Sequence, residues 1–361
     1  MNEAPSPTMR RRSAAVRNGV VVKNPTKKGL GRIPAQVVVI ASATLLLASC
    51  SSLGAAGGDG AESDYPTKPV TLTAPADPGS GWDTTARALV EAMEKEDLTD
   101  TAVPVQNRTG ATGCVWHGQM VNGHEGDDYN IAVTSTPIMS NYLRGECEHE
   151  YDEVTMIATI MVENYLLVVP AESEYQTADD LLEAMAEDPG SVPIAASGDD
   201  QLPFALLVNA AGGDPSKINF SQYEGGGQQI TAMLNGDVAG AVAGVSEFRG
   251  QLESGDLRGL AVMRENPLDP PLDEIPTAPS LGYDVTLGNW RGIYGPPGMD
   301  PSAVTYWQDK LKQTMDTPTW DDLAQRNQWE ELYLVGDDME SYLADAYKNI
   351  EQGLKSTGAI S

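Results

Sequence analysis

Short apolar segments alternate with amphipathic ones along most of the chain. Val70–Ala74 and Tyr165–Val169 have the length and apolar content of buried strands. The first is followed by apolar residues spaced three and four apart, as on one face of a helix: Ala86, Leu89, Val90 and Met93. This alternation predicts an α/β fold with mostly parallel sheets.

The same alternation continues towards the carboxyl end. Further predicted strands cover 131–133, 192–196, 218–223, 238–245, 257–263 and 289–294. One predicted helix follows a Thr177–Asp180 capping box. Two others are predicted from apolar spacing, one with Ile230, Met233 and Leu234 and one with Leu343, Ala346 and Ile350. Several strands end in Gly and Ser or Thr residues that open a helix. Backbone N–H groups at such ends predict loops that hold anions without Lys or Arg.

Charge is distributed unevenly along the chain. Residues 1–50 hold eight Lys and Arg residues and one acid, Glu3. The whole chain holds 23 basic and 52 acidic residues, which leaves 15 and 51 for the rest. Contacts to nucleic-acid phosphates need clustered Lys and Arg, so this acidic body excludes a protein that binds nucleic acid through a basic face.

The basic head has the features of an export signal. Its apolar run, Val37–Ala48, is shorter than the roughly 20 residues that a spanning helix needs. The run ends at Leu47-Ala48-Ser49-Cys50, a pattern typical of lipoproteins, so we expect a signal peptide over 1–49 and lipidation of Cys50. The alternatives are an ordinary signal peptide cut nearby and a buried thiol at Cys50. Residues 50–64, rich in Gly, Ala and Ser, predict a flexible tether.

The two remaining cysteines and all three histidines fall within residues 114–149. Cys114 and Cys147, with His117 and His149, have spacings that a zinc site also shows. An exported protein with two cysteines left after lipidation most simply joins them. We therefore expect a Cys114–Cys147 disulfide and no metal, with zinc or two free thiols as alternatives.

No catalytic or phosphate-binding signature accompanies these elements. The sequence lacks a G-x-S-x-G elbow, a G-x-x-x-x-G-K-[ST] loop and a G-x-G-x-x-G after a strand. The nearest match, Gly244–Phe248, has Phe in place of the last glycine. No residue pattern therefore supports an enzyme or a cofactor, and an extracytoplasmic hydrolase is the minor alternative.

A set of segments in chain order carries a family resemblance. They are 65–70, 75–89, 107–113, 223–238, 245–248, 275–277 and 289–298. The second is PADPGSGWDTTARAL and the last is NWRGIYGPPG. Together they resemble the substrate-binding proteins of tripartite tricarboxylate transporters, the TctC/Bug family, and look closest to its tricarboxylate branch. The resemblance covers residues 65–361.

The resemblance implies a type II periplasmic-binding-protein fold. In that fold two α/β lobes, each with a mostly parallel sheet, enclose a ligand cleft. Lobe one is expected over 65–164 and 288–361, and lobe two over 165–287. The resemblance implies no catalysis and no cofactor, only closure of the lobes on a ligand.

The ligand-binding residues that we expect lie mainly where strands end. They are Gly79, Ser80, Gly81, Trp82, Asp83, Thr134, Ser135, Thr136, Ser197, Gly198, Gly225, Gly226, Gly227, Ser246 and Arg291. Backbone N–H and hydroxyl groups would hold carboxylates, and Arg291 is the cation expected at the cleft. Asp83 as a helix cap, Trp82 as a packing residue and Arg291 paired with an acid remain the alternatives.

The implied function is capture of a di- or tricarboxylate, citrate-like, for a membrane permease of large and small subunits. The protein would be a lipid-anchored, extracytoplasmic monomer; the partner of a membrane sensor kinase is the alternative. Two features depart from the family pattern. The first is Thr109 in place of a proline and Thr112 in place of a glycine, and the second is the pair of acids Asp199 and Asp200 after Ser197-Gly198. These acids leave room for an amino-acid-like or cation-complexed carboxylate.

Overall fold

A computed structural model describes residues 64–198, 200–223 and 225–361 of the protein. The expected signal peptide, Cys50 and nearly all of the tether lie outside the described residues, and so does Asp199. Within these ranges, no helix has the length and apolar sequence needed to cross a membrane.

Strands and helices alternate along the described chain. The strands are β1 Thr71–Ala74, β2 Val105–Asn107, β3 Asn130–Ser135, β4 Thr155–Pro170, β5 Ile194–Ala196, β6 Phe220–Gln222, β7 Gly240–Gly244, β8 Leu257–Val262, β9 Gly288–Gly295 and β10 Glu330–Leu334. The helices are α1 Gly81–Lys95, α2 Cys114–Gly123, α3 Thr136–Leu143, α4 Ala178–Glu187, α5 Gln201–Ala210, α6 Gly226–Asn235, α7 Val245–Ser254, α8 Pro301–Met315, α9 Pro318–Asn327 and α10 Gly336–Ser356. The α/β fold class is confirmed.

The strands form one continuous sheet in the order β2-β1-β3-β9-β4-β7-β5-β6, with β8 and β10 also paired to β4. Two groups, β2-β1-β3 and β7-β5-β6, are parallel, as the sequence predicts. The long strands β4 and β9 pair antiparallel to their neighbours. Parallel strands connected by helices bring their carboxyl ends to one edge, where ligands bind in such folds.

Strand β4 belongs to both parts of this sheet. Its residues 155–164 pair with β9, which we call the first part together with β1, β2, β3 and β10. From Tyr165 onwards β4 pairs with β7, which we call the second part together with β5, β6 and β8. The predicted lobe boundary between residues 164 and 165 falls at this change of partner, and the lobe boundaries stay a prediction.

Separate apolar clusters stabilise the two parts. In the first, α1 and α8 pack on the sheet through fully buried side chains that include Leu89 and Trp307. In the second, α4 and α5 cover one face of the sheet, and α6 and α7 cover the other. Burial of a large apolar side chain contributes about 1.5–3 kcal/mol. The buried faces of these helices therefore hold them against the sheet.

Several local predictions are confirmed. The Thr177 hydroxyl accepts a hydrogen bond from Asp180 N, and Asp180 reciprocates at the start of α4. Leu343, Ala346 and Ile350 are buried on α10. The disulfide also forms: Cys114 and Cys147 are bonded, with their Cα atoms 5.2 Å apart.

Three local predictions are wrong or incomplete. Thr134 and Ser135 are not in a loop, because β3 continues to Ser135 and α3 begins at Thr136. Leu234 lies on α6, as predicted, but is 55% exposed, since Met233 and Ala232 supply the buried side of the helix. The first ten residues of β4 have no counterpart among the predicted strands, although they pair with β9 and β10 in the first part of the sheet.

Candidate functional site

The loop after β1 is organised by the cap of α1. Ser80 is the N-cap residue, and its hydroxyl accepts a hydrogen bond from Asp83 N. The Asp83 carboxylate accepts hydrogen bonds from Gly79 N at 2.9 Å, from Arg87 and from Asn107. Burial raises the pKa of Asp83, but these hydrogen bonds outweigh burial and hold it below its ordinary value. Asp83 therefore shapes the loop, as the capping alternative predicts.

Ser135 joins two of the predicted site residues at the end of β3. Its hydroxyl oxygen accepts a hydrogen bond from Trp82 Nε1 at 2.8 Å and another from Arg291 Nη1 at 3.1 Å. The ring of Trp82 is buried beneath Gly113, where an added Cβ would lie 2.6 Å from the ring. Trp82 is thus both a packing residue and part of the polar network.

Arg291 lies on β9, where the chain crosses between the two parts of the sheet. Its Nη2 donates to Oε2 of Glu163 at 2.6 Å, and both side chains are buried. Burial lowers the pKa of Arg291, but the charge of Glu163 and its hydrogen bond outweigh burial and raise it. The Arg291 guanidinium is therefore a cation held in a fixed position. It is also paired with an acid, Glu163, as the alternative expectation for this residue has it.

Glu163 also reaches the second part of the sheet. Its Oε1 accepts a hydrogen bond from Ser246 N at 3.0 Å, at the start of α7. Gly244 makes this contact possible, because an added Cβ there would lie 2.4 Å from the Glu163 carboxyl carbon. Glu163 is not among the predicted site residues. The feature that could have indicated it is its position as the single acid within the apolar sequence of β4.

The start of α6 is held in a similar way by Glu247. Its Oε2 accepts a hydrogen bond from Gly226 N at 2.8 Å. A Cβ on Gly226 would lie 2.6 Å from the Glu247 Cβ, so only glycine allows this approach. The other oxygen, Oε1, lies 3.3 Å from the position that a Cβ on Gly81 would take. Glu247 therefore connects the start of α6 with the start of α1.

Asp200 completes the set of acids. Its Oδ2 accepts hydrogen bonds from the Ser197 hydroxyl at 2.5 Å and from Ser197 N at 3.2 Å. The Asp200 side chain is 5% exposed, so it turns inward under the loop after β5. The acid that sequence analysis marked as a departure from the family pattern is thus a buried part of the site region.

A small cavity of about 40 Å³ lies between the two parts of the sheet. Residues from both parts line it, and they are Ala76, Ser80, Gly81, Trp82, Thr112, Pro137, Asn289 and Arg291 with Ser197, Asp200, Gly225 and Glu247. One water needs roughly 10–15 Å³ by this measure, so the cavity as it stands is too small for a dicarboxylate.

The two parts of the sheet are also in close contact beside the cavity. Gln228 Nε2 donates to Asp77 Oδ2 at 2.8 Å, from the start of α6 to the loop after β1. A Cβ on Gly225 would lie 3.1 Å from the Ser80 Cβ, and one on Gly198 would lie 3.3 Å from the Thr112 hydroxyl. Glycines at 198 and 225 let the two loops approach their counterparts.

Thr112 occupies a strained position in the cavity wall. Its φ of 48° and ψ of 49° lie in the left-handed region, which costs a residue with a side chain about 1–2 kcal/mol. The family glycine at this position would adopt the same conformation without strain. Thr112 thus places a hydroxyl in the cavity lining at a conformational cost, and it is a site residue that the predicted set does not contain.

The predicted site residues divide into three groups. Those that line the cavity are Ser80, Gly81, Trp82, Ser197, Gly225 and Arg291. Those in contact with a lining residue or its acid partner are Asp83, Ser135, Gly198, Gly226 and Ser246. The rest neither line the cavity nor make such a contact among those described above, and they are Gly79, Thr134, Thr136 and Gly227.

The described residues offer no metal centre. No group of three or more His, Cys, Asp or Glu side chains in the ranges 64–198, 200–223 and 225–361 is arranged to hold an ion. Cys114 and Cys147 are joined to each other, and buried His117 Nε2 lies 3.0 Å from the backbone oxygen of Glu150.

A continuous α/β sheet in two parts, with a polar cavity lined from both, is the architecture of a solute-binding protein. The family model described as "Tripartite tricarboxylate transporter family receptor" matches residues 85–358. Because this match covers well over half of the sequence, the chain belongs to that family, and the resemblance of its motifs is confirmed. The family consists of extracytoplasmic solute-binding receptors rather than enzymes.

Similar proteins agree with this assignment. Protein BugT of Bordetella pertussis is 23% identical over 305 residues, which span 82% of this chain and 91% of BugT. The R. palustris protein Rpa4515, solved with adipate, has a TM-score of 0.74 at 21% identity and covers 82% of this chain and 99% of its own. MatC from Rhodopseudomonas palustris, solved with bound malate, has a TM-score of 0.68 at 16% identity, with coverages of 82% and 100%. The two structures share the fold of this chain.

Proposed function

We propose that this receptor captures a small di- or tricarboxylate between the two parts of its sheet. The observation that carries the proposal is the buried guanidinium of Arg291 in a cavity that also contains the start of α1. An Arg fork can hold a carboxylate through two hydrogen bonds, and a helix start adds about half a positive charge. Adipate and malate in the two similar structures support a ligand of this class.

Binding would proceed by a hinge motion. Separation of the two parts would break the contacts between Gln228 and Asp77 and between Gly225 and Ser80, and would admit the ligand. Strand β4 pairs within both parts of the sheet, and β9 begins where the chain leaves the second part. One lobe would comprise residues 65–164 and 288–361, and the other residues 165–287. The two lobes would rotate about these strands. Closure would then return the loops to the ligand.

An acidic surface does not conflict with an anionic ligand. The formal charge of the whole chain is -29, but exposed charges are screened beyond about 8–10 Å at physiological salt. Attraction at the cavity would come from a single buried cation and from oriented N–H groups. The surface charge therefore carries no information about the ligand.

Delivery and anchoring complete the proposal. The closed, loaded monomer would dock on the membrane subunits of a tripartite tricarboxylate transporter and would be tethered to the outer face of the membrane by a lipid on Cys50. Cys50→Ala should release the protein from the membrane fraction, whereas Ser51→Ala should not. A Cys50→Ala protein that stays in the membrane fraction would overturn the lipid anchor.

Titration calorimetry against a panel of carboxylates tests the ligand class. The panel should include succinate, adipate, malate, citrate and tricarballylate, with monocarboxylates of equal length as controls. We expect at least one di- or tricarboxylate to bind and its monocarboxylate counterpart to bind much more weakly. The absence of any carboxylate binding by folded protein would overturn the proposal.

A further inference from the structure

Two hydrogen bonds in series cross from one part of the sheet to the other outside the cavity. In the loop after β1, Asp77 Oδ1 accepts a hydrogen bond from the Thr109 hydroxyl at 2.7 Å. The second oxygen, Oδ2, accepts one from Gln228 Nε2 on α6 at 2.8 Å. Thr109 follows β2 in the first part, whereas Gln228 belongs to the second part. Asp77 is therefore held from its own part while it reaches the other.

The segment that carries Thr109 is anchored beside Asp77. Strand β2 ends at Asn107, whose Nδ2 donates to the backbone oxygen of Ala76, the residue before Asp77, at 3.0 Å. This bond places the Thr109 hydroxyl next to the Asp77 carboxylate. Thr109 stands where the family pattern has a proline, which has no side-chain donor. The support for Asp77 is therefore a feature of this sequence rather than of the family pattern.

The hydrogen bond between Asp77 and Gln228 lies beside the cavity. Both residues line a groove of about 490 Å³, which shares Ser80 and Gly225 with the cavity of about 40 Å³. Ser80 and Gly225 belong to different parts of the sheet, and a Cβ on Gly225 would lie 3.1 Å from the Ser80 Cβ. The approach of these two residues therefore separates the groove from the cavity, and the hydrogen bond lies on the groove side of it.

From this geometry we propose that Thr109, Asp77 and Gln228 form a latch, which holds the two parts of the sheet together and controls passage from the groove to the cavity. Opening breaks the bond to Gln228, while the bond to Thr109 stays within the first part and keeps Asp77 in position for closure. The volume of the groove is in the range of small-molecule sites, which suits it as the route of entry. The inference rests on the proposed function for the ligand that passes the latch.

The strength of the latch follows from its chemistry and its place at the surface. A carboxylate accepts a stronger hydrogen bond than a neutral group does, whereas water competes with an exposed bond. The ordinary net contribution of a hydrogen bond changes an equilibrium or a rate by about threefold to tenfold. Two conformations of one protein often differ in free energy by a similar or slightly larger amount. One bond at this place therefore shifts the balance between open and closed arrangements measurably.

The separation of the two parts is measured without any ligand. Gln119→Cys on α2 and Leu234→Cys on α6 place one exposed spin label on each part. The sequence has three cysteines, and Cys114 and Cys147 are bonded to each other, so Cys50→Ala leaves only the introduced thiols to be labelled. Double electron–electron resonance on this protein gives the distribution of distances between the labels.

Charge variants at Gln228 should move these distances in opposite directions. Gln228→Glu sets a second carboxylate against Asp77 and should lengthen them, whereas Gln228→Lys supplies a cation and should favour the short distances. Asp77→Asn should remove both effects, because the charge that they depend on is gone. Thr109→Val keeps the shape of the side chain without its hydroxyl and should lengthen the distances less than Gln228→Glu does.

Gln313→Glu is the matched control, since it adds the same charge at an exposed position on α8 and should leave the distances unchanged. Distances that do not respond to Gln228→Glu would overturn the latch. A response to Gln228→Glu that persists in full with Asp77→Asn would also overturn it, because Asp77 would then not be the partner.

Binding kinetics test the control of passage. Stopped-flow tryptophan fluorescence with succinate, adipate, malate, citrate and tricarballylate should show that Gln228→Ala raises the association and dissociation rate constants together, by about threefold to tenfold. Affinity should change by less than about threefold, because the latch holds the closed arrangement with and without ligand alike. Rate constants equal to those of the parent protein would overturn the control of passage. The absence of binding by all five carboxylates would overturn the proposed function, while the label distances would still decide whether the latch exists.

Discussion

The carboxylate of Glu163 on β4 holds the guanidinium of Arg291 on β9, with Oε2 and Nη2 2.6 Å apart and both side chains buried. The pair lies where the two longest antiparallel strands meet, and its acid also caps α7 in the second part of the sheet. A buried charge without its partner is costly, so each member requires the other. The pair therefore links the proposed hinge, the start of α7 and the cation of the cavity.

Loss of the cation alone should destabilise the protein strongly. Arg291→Met leaves Glu163 buried and unpaired, and we expect the free energy of unfolding to fall by about 3–5 kcal/mol. The double variant Glu163→Gln with Arg291→Met has no buried charge at this place and should recover a large part of that loss. Urea denaturation of the two variants measures the difference.

An exposed pair provides the control for this cycle. Arg249→Met breaks the pair of Arg249 with Glu253 on the surface of α7 and should change the free energy of unfolding by less than about 1 kcal/mol. Equal stability of Arg291→Met and the double variant would mean that Glu163 is not held by Arg291, contrary to the geometry.

A methyl group on Gly81 should interfere with ligand binding. An added Cβ there would lie 2.2 Å from Arg291 Nη2, and Arg291 cannot move aside without breaking its pair with Glu163. Overpacking of this kind costs about 1–3 kcal/mol in the closed form, so Gly81→Ala should weaken ligand affinity about tenfold or more. Calorimetry with the best ligand of the panel measures it.

Gly227→Ala is the matched substitution in open space. No atom lies within 4 Å of an added Cβ at Gly227, which is in the first turn of α6. It should leave affinity unchanged and raise the free energy of unfolding by about 0.4–1 kcal/mol, because alanine restricts the unfolded chain. Equal affinity of Gly81→Ala and Gly227→Ala would exclude Gly81 from the closed site.

The fold was predictable from the sequence because its signals are local. Apolar spacing gave the buried face of α1, and the Thr177–Asp180 capping box gave the start of α4. The first half of β4 was missed because its pairing partners, β9 and β10, lie more than a hundred residues away. Strand formation there depends on tertiary contacts rather than on the segment itself.

The site was predictable only where backbone chemistry defines it. Glycines and hydroxyls at strand ends singled out Ser80, Gly81 and Gly225, which line the cavity, and their role in binding stays a prediction. The acids Glu163 and Glu247 were not predicted, since their role arises from helix starts that come from other segments of the chain. A carboxylate in a sequence does not reveal which N–H group it will meet.

Removal of the disulfide should lower stability without moving the cavity residues. Cys114 and Cys147 close a loop of 33 residues, and the chain-entropy model gives about 3–4 kcal/mol for a loop of that length. The variant with both cysteines changed to Ser should lose about that free energy of unfolding in urea. Mass spectrometry of unreduced protein should find neither thiol alkylated, and two alkylated thiols would contradict the bond.

The hydrogen bonds to Asp83 should make stability depend on pH in the acid range. They hold the pKa of folded Asp83 below that of the unfolded chain, so the carboxylate binds fewer protons when folded. Its contribution is therefore complete above the unfolded pKa of about 3.9 and is lost as the pH falls through the lower folded pKa. Asp83→Asn should cost about 1 kcal/mol at pH 7, the usual net contribution of a side-chain hydrogen bond, and this cost should diminish as the pH falls through the folded pKa.

The comparison needs a second carboxylate that takes no part in the α1 cap. Asp322→Asn, which removes an exposed acid on α9, is suitable because its side chain lies at the surface. Urea denaturation of both variants and the parent protein at several pH values between 2 and 7 gives the difference in free energy of unfolding. A cost for Asp83→Asn that stays the same from pH 7 to pH 2 would mean that the shape of the side chain, and not its charge, supports the loop after β1.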